Sequence, residues 1–226
     1  MITLTDRYFT QPAVSYVRDA LKLDTSTLLA DLSPDEQADI IAAGLAAELP
    51  LHYFKRTMPL ARVQRVVGML RALAPTDLLD IGSGRGTFLW PLLDAFPALP
   101  VMAIDASEER ASLLMAVATG GFPTLTARRA DATDFPFADG SFDGVTLLEV
   151  LEHIPDAQTA LAEAVRVAQR FVLLSVPSKA DDNPEHIHLF DATTLGRMAE
   201  KAGAASAKFE QVPGHLVGLL TVAGRD

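Results

Sequence analysis

Leu78-Leu79-Asp80-Ile81-Gly82-Ser83-Gly84-Arg85-Gly86 is an apolar run that ends in an aspartate and breaks into three glycines at alternate positions, before Thr87-Phe88-Leu89-Trp90 starts a helix-like pattern. The physical reading is a buried strand with a tight exit, where a small molecule can lie on bare backbone at a helix N-terminus. That is a nucleotide-type site; an ordinary glycine-rich strand-to-helix turn has the same local composition. The G-x-G-x-G spacing departs from the G-x-G-x-x-G of dinucleotide-binding strands and argues against a nicotinamide-dependent oxidoreductase.

Outward from this loop, strands alternate with helices, the pattern of a mostly parallel sheet covered on both faces. The helix over residues 87 to 95 contains Pro91, tolerable only in an opening turn. Val101-Met102-Ala103-Ile104 is a second strand ending in Asp105, followed by a helix from 108 to 118 that Gly120-Gly121 closes. A carboxylate about 20 residues past the glycine loop can accept both hydroxyl hydrogens of a ribose, or it caps the next helix. Residues 125 to 130 begin as a strand and turn at Asp131; 139 to 149 read as a turn and a buried strand. Asp156 caps a helix to residue 168, a fifth strand runs from 170 to 177, and a further helix covers 193 to 202. Residues 207 to 212 and 215 to 222 form a hairpin around Pro213-Gly214.

Glycines 82, 84 and 86 preceded by Asp80 resemble motif I of the class I S-adenosylmethionine-dependent methyltransferases. Three further stretches carry the same resemblance in the same order. Asp131-Ala132-Thr133-Asp134-Phe135-Pro136-Phe137 is similar to the family's D-A-x-x-L-P-F, and Asp139 to Val145 to its D-x-S-F-D-x-V. Glu149-Val150-Leu151-Glu152-His153-Ile154-Pro155-Asp156 is similar to the E-x-L-E-H-x-P-D of small-molecule, type 11-like members. A later stretch from His186 resembles H-x-x-x-F-T/S, with Asp191 where serine or threonine is usual. The resemblance covers about residues 77 to 222 and implies a three-layer, Rossmann-like α/β sandwich: a seven-stranded, mostly parallel sheet with an antiparallel last strand.

The same resemblance implies S-adenosylmethionine as cofactor, held by Asp80, Gly82, Ser83, Gly84, Gly86, Asp105, Ala106, Asp131, Ala132 and Glu149. Asp105 would take the ribose, Asp131 the adenine amino group, and Ala132 would supply a backbone amide. Methyl transfer needs alignment and water exclusion more than a dense catalytic apparatus. His153, beyond the fourth strand, is the candidate general base, with His188 assisting; a structural role in the loop is the other reading of His153. Glu149, Glu152, His153 and His188 also resemble the metal-binding pattern of small-RNA 3′-terminal 2′-O-methyltransferases. A non-catalytic cofactor-binding protein is a third possibility. The D/N-P-P-Y/F signature of DNA adenine methylation is absent, which argues against that substrate; the resemblance to the type 11-like members implies a small-molecule acceptor, with oxygen, carbon and nitrogen all open as the methylated atom.

Length allows one large α/β domain at residues 76 to 226 with a helical annex at 1 to 75. Within the annex, Val14, Val17, Ala20 and Leu21 recur at helical spacing, Ser33-Pro34-Asp35-Glu36 is a capping box opening a helix to about Glu48, and a third helix starts near Pro59. Family resemblance makes such helices part of a lid, so Tyr16, His52, Tyr53 and Arg56 would line the acceptor pocket; as packing residues they need no ligand. Net charge is −10, from 19 basic and 29 acidic residues, which opposes general nucleic-acid binding. Residues 49 to 76 lack acidic side chains while carrying Lys55, Arg56, Arg62, Arg65 and Arg71, a local basic face or a solvated helix. No apolar run is long enough for a bilayer, no signal peptide is evident, and the absence of cysteine suits the expected cytoplasmic location.

Overall fold

The computed structural model describes residues 3–223. Three helices come first, α1 (Thr10–Ala20), α2 (Pro34–Ala46) and α3 (Ala61–Leu73), followed by β1 (Leu78–Ile81), α4 (Leu89–Ala95), β2 (Val101–Asp105), α5 (Glu108–Thr119) and β3 (Leu125–Arg129). Then come β4 (Phe142–Leu148), α6 (Ala157–Val167), β5 (Ala168–Pro177), α7 (Ala192–Lys201), β6 (Ser206–Val212) and β7 (His215–Thr221). The strands form one sheet in the order β3-β2-β1-β4-β5-β7-β6. β1 to β5 are parallel, and β7 runs antiparallel between β5 and β6. Strand order reverses between β1 and β4, so the crevice at their carboxyl ends is where an open α/β sheet binds a ligand.

β1 is buried along its whole length, as a strand covered on both faces must be. Its residues divide between two cores: Leu78 packs with α3, α4 and α5, while Leu79 and Ile81 pack with α6 and α7. The annex has no core of its own. Val14 and Val17 of α1, Ile41 of α2 and Val66 and Leu70 of α3 join the cluster that holds Leu78, Leu92, Val101 and Leu114. α1 lies so close on the end of α5 that a Cβ at Gly120 would sit 1.8 Å from the Ser15 carbonyl oxygen.

Several boundaries differ from the sequence expectation for local reasons. The glycine turn extends through Gly86, whose N–H donates to the Ser83 carbonyl at 2.9 Å, so α4 starts at Leu89 and Pro91 falls at its third position, inside the opening turn. α2 has the full capping box but stops at Ala46, with Glu48 in the left-handed region at φ 55°. α3 opens after an extended Leu60 rather than at Pro59. β5 starts at Ala168 directly after α6, because Ala168 already pairs with Phe142. No helix among the described residues is long and apolar enough to cross a membrane.

Candidate active site

A cleft of about 1010 Å³ opens at the carboxyl ends of β1, β2 and β4. Its floor is the glycine turn. Gly84 has φ +57°, and a Cβ there would meet nothing nearer than the Gly82 carbonyl oxygen at 3.7 Å, so bare backbone faces the cleft. Gly86 does not line the cleft: a Cβ there would lie 2.0 Å from the indole of Trp90. That indole N–H donates to the carbonyls of Arg85 at 3.0 Å and Tyr53 at 3.1 Å, locking the turn from behind.

Two aspartates hold the turn from the cleft side. Asp80 accepts from the Ser83 hydroxyl at 2.6 Å and the Thr146 hydroxyl at 2.7 Å, tying β1 to β4. Burial pushes its carboxyl up to about 6; the two hydroxyls oppose that rise, and the charge of Asp105 adds to it. Asp105 accepts from the Gly84 N–H and the Ser107 N–H, both at 2.9 Å, so one carboxylate joins the glycine turn to the start of α5. Ser83, Ala106 and Ala132 line the cleft beside them. Asp131 lies at an exposed edge of the cleft, where one carboxylate oxygen accepts from the N–H and hydroxyl of Thr133; those bonds hold its carboxyl below the usual range.

The opposite wall begins at Glu149, whose φ of 57° is unusual for a non-glycine residue. Its carboxylate accepts from the Ser175 hydroxyl at 2.6 Å, lies 3.0 Å from His215 Nε2 and 3.6 Å from Arg62 Nε. These bonds from α3, β5 and β7 keep the strained residue in place. His153 follows in a 3₁₀ turn. Its Nδ1 lies 3.0 Å from the Glu185 carbonyl oxygen, which only accepts, so Nδ1 carries the proton and Nε2 keeps its lone pair. His188 Nε2 instead lies 3.1 Å from the Ile154 carbonyl oxygen, and the residue does not line the cleft. Glu152 is fully buried, and neither carboxylate oxygen has a hydrogen-bond partner; burial raises its carboxyl to about 8.

None of Tyr16, His52, Tyr53 and Arg56 lines the large cleft. Tyr16 packs on Phe54, and Arg56 grips Asp94 with both terminal nitrogens while its Nε donates to the Tyr8 carbonyl. His52 stacks on Tyr53, which the Trp90 indole holds behind the glycine turn; there Tyr53 lines a separate cavity of about 130 Å³ with Gly84 and Arg85. The annex reaches the cleft through Arg62 and Val63 at the start of α3. Arg110, Glu185 and Ile187 also line it. Arg62 lay in the acid-free basic stretch, a usable signal; Ile187 is there because its N–H donates to the Glu152 carbonyl at 2.9 Å, a long-range bond with no local signature. The four-residue metal set Glu149, Glu152, His153 and His188 is not assembled. Among the described residues, the group whose ligand atoms come together is Glu152, His153 and His186.

The sheet order, the glycine turn braced by Asp80 and Asp105, and the cleft above it define a class I S-adenosylmethionine-dependent methyltransferase domain. Residues 79–173, somewhat less than half of the chain, match the family described as methyltransferase domain. It is 31% identical over 142 residues to the O-methyltransferase cnsE of Penicillium expansum, covering 62% of this chain and 50% of that protein. It is 36% identical over 104 residues to a demethylmenaquinone methyltransferase of Renibacterium salmoninarum, covering 46% and 41%. The chain spans about half the length, or less, of these relatives. In fold it is similar to the magnesium protoporphyrin IX methyltransferase of Synechocystis PCC 6803 with bound SAH, with TM-score 0.57, 18% identity, and coverage of 71% of this chain and 82% of that one. It is also similar to the methyltransferase domain of bacterial CtHen1-C, with TM-score 0.58, 20% identity, and coverage of 73% and 98%.

S-adenosylmethionine is the cofactor of this class, and the cleft fits it. Gly84 leaves backbone open to a ligand, Asp105 presents a buried carboxylate at the cleft surface, and Glu149 and Arg62 put opposite charges on the facing wall.

Proposed function

We propose that this protein transfers a methyl group to an oxygen of a small-molecule acceptor, with His153 taking the acceptor's proton. When bound, S-adenosylmethionine supplies an electrophilic methyl on a sulfonium sulfur. Asp105 and the Gly84 backbone hold it on one wall, and Val63, Ile154 and Ile187 exclude water from the other. The observation that carries the reading is the tautomer of His153: with Nδ1 committed to the Glu185 carbonyl, the basic nitrogen is the free Nε2 of a cleft-lining side chain. Relatives named O-methyltransferase cnsE and nocamycin O-methyltransferase support oxygen as the acceptor atom. A net charge of −10 and the separation of Glu149 and His188 from the Glu152 group speak against an RNA 3′-terminal acceptor. The cytoplasm is the proposed location, in keeping with a chain that has no cysteine.

The test combines calorimetry with labelled-methyl transfer to a panel of hydroxylated metabolites. The protein is expected to bind S-adenosylhomocysteine and label a small hydroxylated acceptor. His153→Ala is expected to lower kcat roughly 100-fold or more while leaving S-adenosylhomocysteine affinity unchanged. No affinity for S-adenosylhomocysteine, or full turnover in His153→Ala at saturation, would overturn the reading.

A further inference from the structure

The loop before α7 folds back over the 3₁₀ turn after β4, and this brings a carboxylate and two imidazoles together. A ligand atom from each of Glu152, His153 and His186 lies within 4.8 Å of the other two. Three features distinguish this group from a chance meeting of polar side chains. Glu152 is wholly inaccessible, and both its oxygens lack a partner, which is costly for any buried polar group. Each histidine is oriented through its other nitrogen: His153 Nδ1 lies 3.0 Å from the Glu185 carbonyl oxygen, and His186 Nδ1 lies 2.9 Å from an Asp181 carboxylate oxygen. With both Nδ1 atoms engaged, Nε2 is the donor nitrogen on each ring. A carboxylate or carbonyl behind the imidazole is the arrangement that fixes a metal-ligating histidine in its tautomer. The rings already meet edge to face, 4.8 Å between centroids.

We propose that Glu152, His153 and His186 form a binding site for a divalent first-row transition cation, Asp181 and the Glu185 carbonyl being its outer shell. Two imidazoles and one carboxylate suit zinc, iron(II) or cobalt(II), and not magnesium or calcium, which take oxygen ligands. Ligands 2.0–2.2 Å from one tetrahedral ion lie ~3.5 Å from each other, so the three side chains need only close by about an ångström. Of the three, His153 lines the cleft. One consequence rests on the methyltransferase reading. A bound cation takes the Nε2 lone pair of His153, so the proton transfer proposed above belongs to the metal-free form and saturating zinc is expected to slow it.

The experiment is calorimetric titration of the metal-free full chain with zinc, supplemented by the visible absorption of the cobalt(II) form. One equivalent is expected to bind. Glu152→Gln and His186→Ala are each expected to weaken it more than ~10-fold, with Asp181→Asn weakening it about 10-fold through the outer shell. S-adenosylhomocysteine affinity reports that each variant is folded; should either ligand variant lose it, Asp181→Asn, an exposed substitution, decides the matter. Absence of saturable zinc and cobalt binding, or binding unchanged in folded variants, would overturn the site. Failure of the methyltransferase reading is distinguished by the native protein, which would then bind the cation but not S-adenosylhomocysteine.

Discussion

At the scale of single residues, two glycines of one turn do different work. Gly84 faces the cleft with open space around it, whereas Gly86 is covered by the Trp90 indole. Gly84→Ala is expected to fold, at a cost of roughly 1 kcal/mol for its left-handed backbone, and to weaken S-adenosylhomocysteine binding because a methyl covers the floor. Gly86→Ala is expected to cost more stability, since the methyl would meet the indole ring at 2.0 Å. Thermal denaturation and calorimetry on the pair check the contrast. Asp80 supplies a pH dependence. Its carboxyl sits at about 6 when folded against an ordinary 3.8, so between those values the folded chain binds more protons than the unfolded one. Stability therefore falls as pH rises from about 4 to about 6, by about 3 kcal/mol from this group, and stays at the lower level above. Asp80→Asn is expected to flatten that part of a Tm-against-pH curve; an unchanged slope would refute burial as its source.

At the scale of elements, the alternation of strands and helices was legible because these strands are short apolar runs with an acidic residue at their carboxyl ends: Asp80 near the end of β1, Asp105 at the end of β2, Glu149 just after β4. The site residues at those exits were legible for the same reason, since a parallel sheet gathers the carboxyl ends of its strands. What could not be read was the side-by-side placement of elements distant in sequence. Arg62 reaches the cleft because α3 lies along its rim, and His186, not His188, turns toward Glu152 because the loop is pinned by the Ile187 N–H on the Glu152 carbonyl. Tyr53 and Arg56 sit in an aromatic, basic stretch suited to a pocket, yet bonds to Trp90 and Asp94 hold them behind the turn. The close crossing of α1 on α5 is equally long-range, and Gly120 permits it. Gly120→Ala is expected to cost roughly 1–3 kcal/mol, at the upper end because the obstacle is the backbone oxygen of Ser15 rather than a side chain that can rotate. A chemical-denaturation midpoint equal to that of the native protein would contradict this crossing.

At the scale of the whole molecule, the shared core makes a claim about cooperativity. Sequence divided the chain into an annex at residues 1 to 75 and a cofactor-binding part, but α1, α2 and α3 bury their apolar faces in the cluster that supports β1, β2 and α5. Ion pairs also cross that division: Arg65 of α3 binds Glu210 of β6, Arg56 binds Asp94 of α4, and Arg62 approaches Glu149. Two parts that share one core cannot lose it separately, so the chain is expected to unfold in one transition seen alike by helix signal and by Trp90 fluorescence. Ligand binding extends the argument. The cleft is built from both parts, so S-adenosylhomocysteine at 100 times its Kd should stabilise the whole fold by about 2.7 kcal/mol, a rise in Tm of about 5–10 °C for a chain of this length. Hydrogen exchange is the discriminating measurement. If the folding unit is the entire chain, the ligand slows globally exchanging amides of α1 and α3 by the same factor as those of β1 and β4. Protection confined to the sheet, with α1 amides unmoved, would mean that the annex opens independently and that the common core does not couple it to the cofactor site.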